Sequence, residues 1–570
     1  MLKFLLKKKD NSCILNSGFN QELKKMSTAS IAAAADFIKN ETQFHLGFLP
    51  TEQSHPRSVD LEKNFKRSSI AGVKTLQNID RDVLAMAQKV LKSQEFEKFV
   101  STAKETVSNG GRMVFSGCGA TGRLSILLES MWRDAASRIE KLAPYADNAA
   151  SIMTGGDFAL VRSVEFFEDY PQFGRKQVDE LGVTDKDMLI AITEGGETSS
   201  VLGTLAEAVE RGAKGFLLFN NPADILAEKL ERSRKAITDP RVTVLDLTCG
   251  PMALAGSTRM QATTSEQLIA GSMLETLACT LCGLPRPDFA AEFAHLLDEL
   301  DKSAEEIANF IDLETACYSS GGRITYYADR YLLDIFTDTT ERTPTFMLIP
   351  FKKVDDDSSP EPWALAKSLC FTANEIWQES FKRAPRCLNW NAQDYIALNG
   401  TEKMISDPPQ ISFEDMLQFD VGCEINLDRC SNVSDTAVLV AWNDETAALE
   451  FDQLTFPYPG RVRIIFSQDI PETPLLLMRH LAIKLFFNTL STGTMVRMGR
   501  VSGNWMSFVD TTNKKLIDRA VRLISELGKM DYKTACELLF EAKEEQLKLP
   551  LPQRESPVQM VLKKIGIVPK

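Results

Sequence analysis

The first half of the chain alternates short apolar runs with longer segments whose apolar residues recur every three to four positions. The short runs predict strands at residues 112–116, 188–192 and 215–219. The longer segments predict helices at residues 124–136 and 200–211. The other elements predicted in this half are strands at 151–153 and 242–247 and a helix from about residue 265 to 281. Strands separated by helices of this length predict a parallel sheet with helices on both faces.

The second half repeats this order of elements. An amphipathic helix is predicted over 288–312, with Phe289 and Phe293 on its apolar face. The elements predicted after it are a strand at 323–327, a helix near 331–337, a strand at 345–349, a helix at 363–381, strands at 437–442 and 462–466, and a helix at 475–497. Because Gly111-Arg-Met-Val-Phe and Gly322-Arg-Ile-Thr-Tyr hold equivalent places in the two halves, the pattern indicates an internal duplication.

This organisation predicts an α/β protein with two doubly wound parallel-sheet lobes. The predicted domains are an N-terminal leader and helical extension at 1–60, a first lobe at 61–290, a second lobe at 291–510 and a small C-terminal helical region at 511–570. Residues 1–100 are helical and polar in pattern, with an extended kink at 50–56. The basic stretch at 1–9 predicts a solvated leader helix, since it has no apolar core of useful length.

Charge and hydropathy exclude several classes of partner. The formal net charge of −13 argues against broad nucleic-acid binding. The longest apolar runs, at 216–219 and 475–478, are far too short to cross a bilayer, so no membrane partner is expected. The eleven cysteines are scattered through apolar segments, which is typical of reduced core thiols and predicts a cytoplasmic protein.

The sequence does not indicate a metal site. Cys279 and Cys282 form a CxxC inside a helical pattern, with no second pair at zinc-site spacing. The four histidines form no cluster in the sequence. No metal is therefore predicted, and acid–base chemistry would fall to carboxylates or a lysine.

Candidate chemistry is concentrated in three turns that are rich in glycine and hydroxyl groups, at residues 116–123, 193–200 and 256–260. Each turn precedes a predicted helix, and backbone N–H groups at helix starts bind anions. The carboxyl ends of parallel strands meet in the crevice where open α/β sheets bind ligands. We therefore expect one phosphate to be held by all three turns. The hydroxyl groups expected to contact it are those of Thr121, Thr198, Ser199 and Ser257.

The first turn also matches the GxGxxG pattern of a dinucleotide site, from Gly117 to Gly122. That fingerprint requires an acid about 20 residues further on, at the end of a second strand. The corresponding region is 138–142, and the next predicted strand ends in Thr154-Gly-Gly-Asp157. Because this match is poor, no nicotinamide or flavin cofactor is predicted.

Several motifs resemble those of tandem sugar isomerase (SIS) domain proteins, the group that joins N-acetylmuramic acid 6-phosphate etherases and glucokinase regulatory proteins. The most specific are Ala255-Gly-Ser-Thr-Arg-Met260, which resembles GSTRMK, and Asn488-Thr-Leu-Ser-Thr-Gly493, which resembles NMLSTG. Residues 116–123 resemble the GxGTSGR loop, and the resemblance extends from about residue 50 to 545. It implies two SIS lobes with a sugar-phosphate site between them, and neither an organic cofactor nor a metal.

The resemblance also implies which residues form the site. The two carboxylates of the family correspond to Glu168 in the first lobe and to Glu341 in the second, where Asp338-Thr-Thr-Glu341 resembles DASE. A fused pseudo-dimer would take one carboxylate from each lobe and so retain a single composite site. The candidate substrate-binding residues are Gly119, Ala120, Thr121, Gly195, Glu197, Thr198, Ser199, Ser257, Thr258, Arg259 and Lys484.

Some residues depart from the family pattern. Met131 stands where a catalytic acid is expected in the first lobe, and Glu129 lies roughly 200° away around an α-helix, so it cannot replace that acid. Glu194 and Glu197 add negative charge beside the expected phosphate, which costs ~1 kcal/mol or more at short range unless they point away or bind another ligand group. Gln261 replaces the lysine of GSTRMK and removes one cation.

Two functions remain open at this stage. In a lyase that resembles the etherases, one of Glu168 and Glu341 would remove the C2 proton of a 6-phosphorylated amino sugar while the other, protonated, assists the departing ether oxygen. In a non-catalytic sensor that resembles the regulatory proteins, a bound fructose phosphate would control a sugar kinase. The fused lobes favour the sensor, and the carboxylate pair permits the lyase. Of the two, a lyase-like or isomerase-like activity is the preferred prediction. The phosphorylated sugar is the expected partner, bound by a monomeric pseudo-dimer or a homo-oligomer.

Overall fold

The computed structural model of the protein describes residues 26–328, 330–550 and 554–567. The predicted leader helix at 1–9 lies outside the described residues. The chain divides into two compact units, one of Met1–Phe48 with Ser507–Lys570 and the other of Leu49–Met506. The division of the larger unit into lobes at 290 and 291 stays a prediction.

The first parallel sheet of the larger unit has the strand order β2-β1-β3-β4-β5. Its strands are β1 Met113–Gly117, β2 Ala149–Met153, β3 Met188–Ile192, β4 Lys214–Phe219 and β5 Val242–Asp246. All pairs are parallel, and Met113 in the central β1 faces both Ala149 and Met188. Every residue of β1, β2 and β3 is buried, as expected for a parallel sheet covered on both faces.

The helices of this half precede, connect and follow the strands. They are α2 Leu61–Arg67, α3 Ser69–Val90, α4 Gln94–Ser108, α5 Ala120–Arg138, α6 Pro171–Leu181, α7 Ser199–Glu210, α8 Ala223–Lys229, α9 Glu231–Ile237 and α10 Gln261–Cys282. The prediction of a parallel α/β sheet in the first half is therefore confirmed. Almost every residue of α10 is buried, including the acidic residues Glu266 and Glu275.

The second parallel sheet has the order β7-β6-β8-β9, which repeats the order of the first four strands of the other sheet. Its strands are β6 Ile324–Tyr327, β7 Ala364–Lys367, β8 Thr436–Trp442 and β9 Gly460–Phe466. Its helices are α11 Phe289–Lys302, α12 Ala304–Ser319, α13 Leu332–Phe346, α14 Ile376–Phe381, α15 Ala392–Ala397, α16 Glu402–Ser406, α17 Phe413–Leu417, α18 Glu445–Leu454 and α19 Leu477–Arg497. The short ribbon of β10 Val501–Ser502 and β11 Trp505–Met506 follows α19. The predicted two-sheet α/β architecture is confirmed.

Three element predictions in the second half are wrong. The helix predicted over 288–312 is two helices, because Ser303 ends α11 and begins α12. No strand forms at 345–349. Residues 345 and 346 are the end of α13, which continues past Pro344 and stops where Met347 adopts a left-handed conformation (φ 52°). The helix predicted at 363–381 is β7 followed by α14, since residues 364–367 pair in parallel with β6.

The smaller unit is helical. Its helices are α1 Thr28–Asn40, α20 Lys514–Gly528, α21 Tyr532–Leu547 and α22 Pro557–Lys564. Ser27 caps α1 by accepting from the Ser30 backbone N–H (3.0 Å), and its hydroxyl donates to Glu544 in α21 (2.7 Å). No described helix of the chain is long and apolar enough to span a membrane.

Two glycines allow α6 and α7 to pack backbone against backbone. A Cβ atom would lie 2.0 Å from the Ser200 carbonyl oxygen if placed on Gly174, and 2.1 Å from the Pro171 carbonyl oxygen if placed on Gly203. The Ser200 N–H donates to the carbonyl oxygen of Glu168 (3.0 Å). The close contact therefore fixes the backbone of Glu168 beside the start of α7.

We predict that Gly203→Ala destabilises the protein by about 1–3 kcal/mol, because a methyl group would overlap the backbone of Pro171. Helix propensity alone would have the opposite sign, since alanine is favoured over glycine by about 1 kcal/mol in a helix. Urea unfolding measures the effect, and Ala206→Gly in the same helix is the control for propensity alone. A Gly203→Ala protein as stable as the parent would contradict the packing described.

Candidate functional site

The three predicted turns lie at one end of the first sheet, where the strands finish and the next helices begin. The first joins β1 to α5, the second joins β3 to α7, and the third, at 256–260, precedes α10. We call the space that they surround, together with α13 of the second half, the three-loop crevice. Side chains of α13 contact two of the turns, so both halves of the larger unit contribute to it.

The first turn is closed by its own hydroxyl group. Thr121 Oγ1 accepts from the Cys118 N–H (3.0 Å) and donates to the Cys118 carbonyl oxygen (2.9 Å). Gly119, before the first residue of α5, has φ 56° and ψ −124°, a conformation that glycine adopts readily. The backbone N–H groups of Gly119, Ala120 and Thr121 thus lie together at the start of α5. A direct contact from Thr121 to a phosphate stays a prediction.

One of the two acids of the second turn is held in an ion pair. Glu197 Oε2 accepts from Arg232 Nη2 (2.5 Å), and the Glu197 carbonyl oxygen accepts from Arg232 Nε (2.6 Å). This pairing offsets the repulsion expected between Glu197 and a phosphate. Thr198 is the N-cap residue of α7, and its hydroxyl accepts from Thr193 (3.1 Å). Gly195 is buried and Ser199 is half-buried.

Glu194 faces the first turn of α10. Its Oε1 accepts from Thr263 Oγ1 at 3.5 Å, so the second turn meets the helix that follows the third. Burial raises the pKa of Glu266 well above its ordinary value, and the charge of Glu194 adds to that effect. The carboxylate of Glu194 therefore interacts with a buried acidic group of α10.

The third turn contains a buried hydroxyl group that has no partner. Ser257 is 3% exposed, and its Oγ makes no hydrogen bond in the described structure. A buried hydroxyl without a partner costs free energy, so such groups mark places where a ligand or water completes the structure. Thr258 is half-buried, and its carbonyl oxygen accepts from Thr263 (2.9 Å).

Two arginines of the turns are paired with one face of α13. Arg123, fully buried, donates to Glu341 and to Thr340 Oγ1 (2.7 Å). Arg259 donates to Asp338 Oδ1 (2.7 Å). Asp338 and Glu341 are three residues apart and so lie on the same helix face. The first and third turns are thereby held by neighbouring carboxylates of the other half.

Helix α19 completes the contacts of the third turn. Arg259 also donates to Ser491 (3.1 Å) and Thr492 (2.9 Å), and Lys484 Nζ donates to the Arg259 carbonyl oxygen (2.9 Å). Lys484 donates as well to Thr264 (3.1 Å) in α10. The predicted cations Arg259 and Lys484 therefore lie together, both buried.

Lys484 is surrounded by charges of both signs. Burial lowers the pKa of Lys484 to about 7, and Arg259 adds to this, while Asp80, Asp338 and Glu266 oppose it. Burial likewise raises the pKa of Asp80 to about 7. Both groups therefore change charge near neutral pH.

The two candidate catalytic residues lie beside different turns. Glu341 lies beside the first turn, with its Oε1 3.9 Å from the position a Cβ on Gly119 would occupy. Glu168 is half-buried, and its carbonyl oxygen accepts from the Ser200 N–H at the end of the second turn. That the two carboxylates share one substrate stays a prediction.

Glu129 is held in a separate ionic cluster. It accepts from Ser151 (2.6 Å), Arg133 (2.9 Å) and Arg386 (2.9 Å). Although burial opposes it, the charges of Arg383 and Arg386 lower the pKa of Glu129 to about 2. Glu129 is thus committed to structural pairing and does not take the place of an acid at Met131.

The sequence reasoning missed the roles of Asp338 and Asp80. Asp338 stands in the motif that drew attention to Glu341, so its three-residue spacing was an available signal. Asp80 accepts from Gln261 Nε2 (2.6 Å), a residue 181 positions away, and only the tertiary fold brings it there. In the part of the chain that the structure describes, no three His, Cys, Asp or Glu side chains are grouped to hold a metal ion.

Parts of the chain are similar to known proteins. A family model described as the glucokinase regulatory protein N-terminal SIS domain matches residues 95–209. N-acetylmuramic acid 6-phosphate etherase 1 of Bacillus licheniformis is 30% identical over 239 residues, which are 42% of this chain and 71% of that protein. N-acetylmuramic acid 6-phosphate etherase of Glaesserella parasuis is 32% identical over 240 residues, again 42% of this chain and 71% of that protein.

Among solved structures, the chain is similar to the C-terminal domain of glucosamine-fructose-6-phosphate aminotransferase from Francisella tularensis. The TM-score is 0.38 at 11% identity, with 75% of this chain and 97% of that chain covered. A similarity this weak carries no argument about function.

We predict that anion binding in the three-loop crevice weakens as the pH rises above 7. Lys484 loses its positive charge and Asp80 gains a negative charge across this range, since the pKa of each is about 7. If binding requires charged Lys484, the Kd for fructose 6-phosphate rises about fivefold from pH 7 to pH 8. Calorimetric titration measures the Kd at pH values between 7 and 8. This range lies above the second ionisation of the phosphate, near pH 6.

The control for this experiment is Lys484→Met, which has no side-chain proton to lose. Its Kd is expected to be weaker than that of the parent and to change less with pH. An unchanged Kd in the parent protein across this range would contradict a role for Lys484 in binding the phosphate.

Proposed function

Because the chain belongs to the N-acetylmuramic acid 6-phosphate etherase family of SIS-domain proteins, we propose that it binds a phosphorylated sugar in the three-loop crevice. We further propose that it binds this ligand without converting it to a product. The observation that carries the first part is the buried, unpartnered hydroxyl of Ser257. The observation that carries the second is the pairing of Glu341 with Arg123.

Several features support a phosphate as the group that fills the crevice. The starts of α5, α7 and α10 direct backbone N–H groups towards the ends of the first sheet, and such groups favour anions. Arg259 and Lys484 add positive charge in the third turn. The Ser257 hydroxyl would donate to a phosphate oxygen, an interaction stronger than a hydrogen bond between neutral groups.

The pairing of Glu341 with Arg123 favours binding over chemistry. Elimination of an ether needs one protonated carboxyl group to assist the leaving oxygen. Glu341 instead accepts hydrogen bonds from the buried, charged Arg123. The counterpart of Glu341 in the first half is Met131, which offers no acid. In this proposal Glu341 receives sugar hydroxyl groups, and Glu168 is a second acceptor beside the end of the second turn.

The matching family model suggests what the bound sugar controls. Its description names a glucokinase regulatory protein, and it matches residues 95–209, which include the first two turns of the crevice. We propose that a sugar kinase is the partner, and that the bound sugar phosphate changes the affinity of the chain for that kinase.

A second candidate function is an etherase-like lyase that acts on a 6-phosphorylated amino sugar. It is favoured by the names of the relatives and by the retention of Glu168 and Glu341. In this alternative the two carboxylates would stand on opposite sides of the bond that breaks, one as base and one as acid.

We predict that the full-length chain gains thermal stability with fructose 6-phosphate and releases no lactate from N-acetylmuramic acid 6-phosphate. A ligand at 100 times its Kd stabilises the folded state by about 2.7 kcal/mol, so the melting temperature rises with ligand concentration. The B. licheniformis etherase in the same assay is the positive control. Lactate release that is lost in both Glu168→Gln and Glu341→Gln would establish the lyase instead, and neither stabilisation nor turnover would overturn the sugar-phosphate proposal.

We also predict that Ser257→Ala weakens fructose 6-phosphate binding by about tenfold, or about 1.4 kcal/mol. Ser272→Ala is the matched control, because Ser272 is likewise buried with an unpartnered Oγ but lies inside α10. Neither substitution removes a hydrogen bond of the described structure, so both proteins should be as stable as the parent. Equal affinities of the two variants would contradict a phosphate contact by Ser257.

A further inference from the structure

The second half has a counterpart of the three-loop crevice in which one phosphate position is already filled. Before α10, the buried Ser257 hydroxyl has no partner among the described residues. At the corresponding place in the second half, before α19, backbone N–H groups donate to Glu275 of α10. The Glu275 carboxylate accepts from the Leu475 N–H (3.0 Å) and from Thr473 Oγ1 (2.9 Å). An acidic side chain of the protein therefore occupies the anion position at the start of α19.

A cavity of about 200 Å³ lies between α5 and residues of the second half. It is lined from α5 by Leu127, Ser130, Met131 and Asp134, and from the second half by Arg330, Leu333, Phe371, Ile376, Glu379, Ser380, Lys382 and His480. Met131 corresponds by motif to Glu341, and Arg330 belongs to the turn between β6 and α13, the counterpart of the first turn. This cavity is thus the equivalent of the three-loop crevice with different side chains, and we call it the second cavity.

Among the described residues that line the second cavity, one cation has no partner. Lys382 pairs with Glu379 (3.1 Å), and Asp134 pairs with Arg138 (2.7 Å). Arg330 is exposed and makes no hydrogen bond or ion pair with any described residue. An anionic group in the cavity would complete this arrangement, since the geometry of a guanidinium group matches both carboxylate and phosphate.

The remaining polar groups suit hydroxyl groups on the same ligand. His480 Nδ1 is hydrogen-bonded to Asp334 (2.8 Å), which orients the ring and leaves Nε2 for a hydrogen bond with a ligand hydroxyl. The Ser380 Oγ is buried without a partner. Leu127, Met131 and Leu333 provide an apolar surface for the carbon skeleton.

We propose that the second cavity is a second ligand site, which binds a small hydroxylated organic anion through Arg330, His480 and Ser380. A hydroxy-carboxylate and a phosphorylated monosaccharide share this chemistry, and both are of a size suited to the cavity. The site differs from the three-loop crevice in relying on an exposed cation, Arg330, because Glu275 already occupies the helix start. The proposal does not depend on the function proposed for the three-loop crevice.

The methyl group of Met131 reports on the second cavity directly. The full-length chain is labelled with ¹³C-methyl methionine, and the Met131 resonance is assigned with Met131→Leu. Sodium gluconate and fructose 6-phosphate are then added separately as the carboxylate and phosphate probes. We expect at least one of them to shift the Met131 resonance saturably, and the probe that does so identifies the source of the anion.

Three variants test the assignment. Arg330→Ala should weaken the titration at least tenfold, whereas Arg67→Ala, which removes an exposed arginine of α2, should leave it unchanged. Ser257→Ala should also leave it unchanged, since Ser257 belongs to the three-loop crevice. The proposal is overturned if neither probe shifts Met131, if Arg330→Ala has no effect, or if Ser257→Ala abolishes the shift.

Discussion

The pairing of two arginines with one face of α13 is the interaction on which the site depends. Arg123 and Arg259 belong to different turns of the first half, and Glu341 and Asp338 hold them from the second half. All four side chains are buried or nearly so. Leaving one member of such a pair alone in the interior costs about 3–5 kcal/mol. The two turns therefore keep their positions only while the second half is folded against them.

This arrangement explains how a duplicated protein can retain a single crevice of the original kind. In one copy the turns carry glycine, hydroxyl groups and an arginine that reaches across to Glu341. In the other copy the equivalent positions hold Met131 and Leu333, which both line the second cavity, and Glu275 fills the helix start. Each change replaces a group that is present in the three-loop crevice, and together they leave a cavity of different chemistry. The residues of one half are thus constrained by the residues of the other half that they contact.

The sequence alone was sufficient to predict features that depend on local pattern. It was not sufficient to predict features that depend on pairing between distant parts of the chain. Strand β3 was predicted with its observed bounds, because its continuous apolar run ends at a glycine-rich turn. Strand β7 was missed, since its four residues become a strand only through pairing with β6. Among site residues, the motifs identified Arg259 and Lys484, but their buried neighbour Asp80 comes from a helix with no such motif. The ionic state of Lys484 is a property of that neighbourhood.

The most direct test of this account is a crystal structure of the full-length chain with fructose 6-phosphate. The account predicts that a phosphate oxygen lies within hydrogen-bonding distance of Ser257 Oγ and that backbone N–H groups at the start of α5 or α7 contact the same phosphate. It also predicts that the Arg123–Glu341 and Arg259–Asp338 pairs remain intact in the complex. A sugar phosphate bound only outside the three-loop crevice, with the Ser257 hydroxyl still unpartnered, would contradict it.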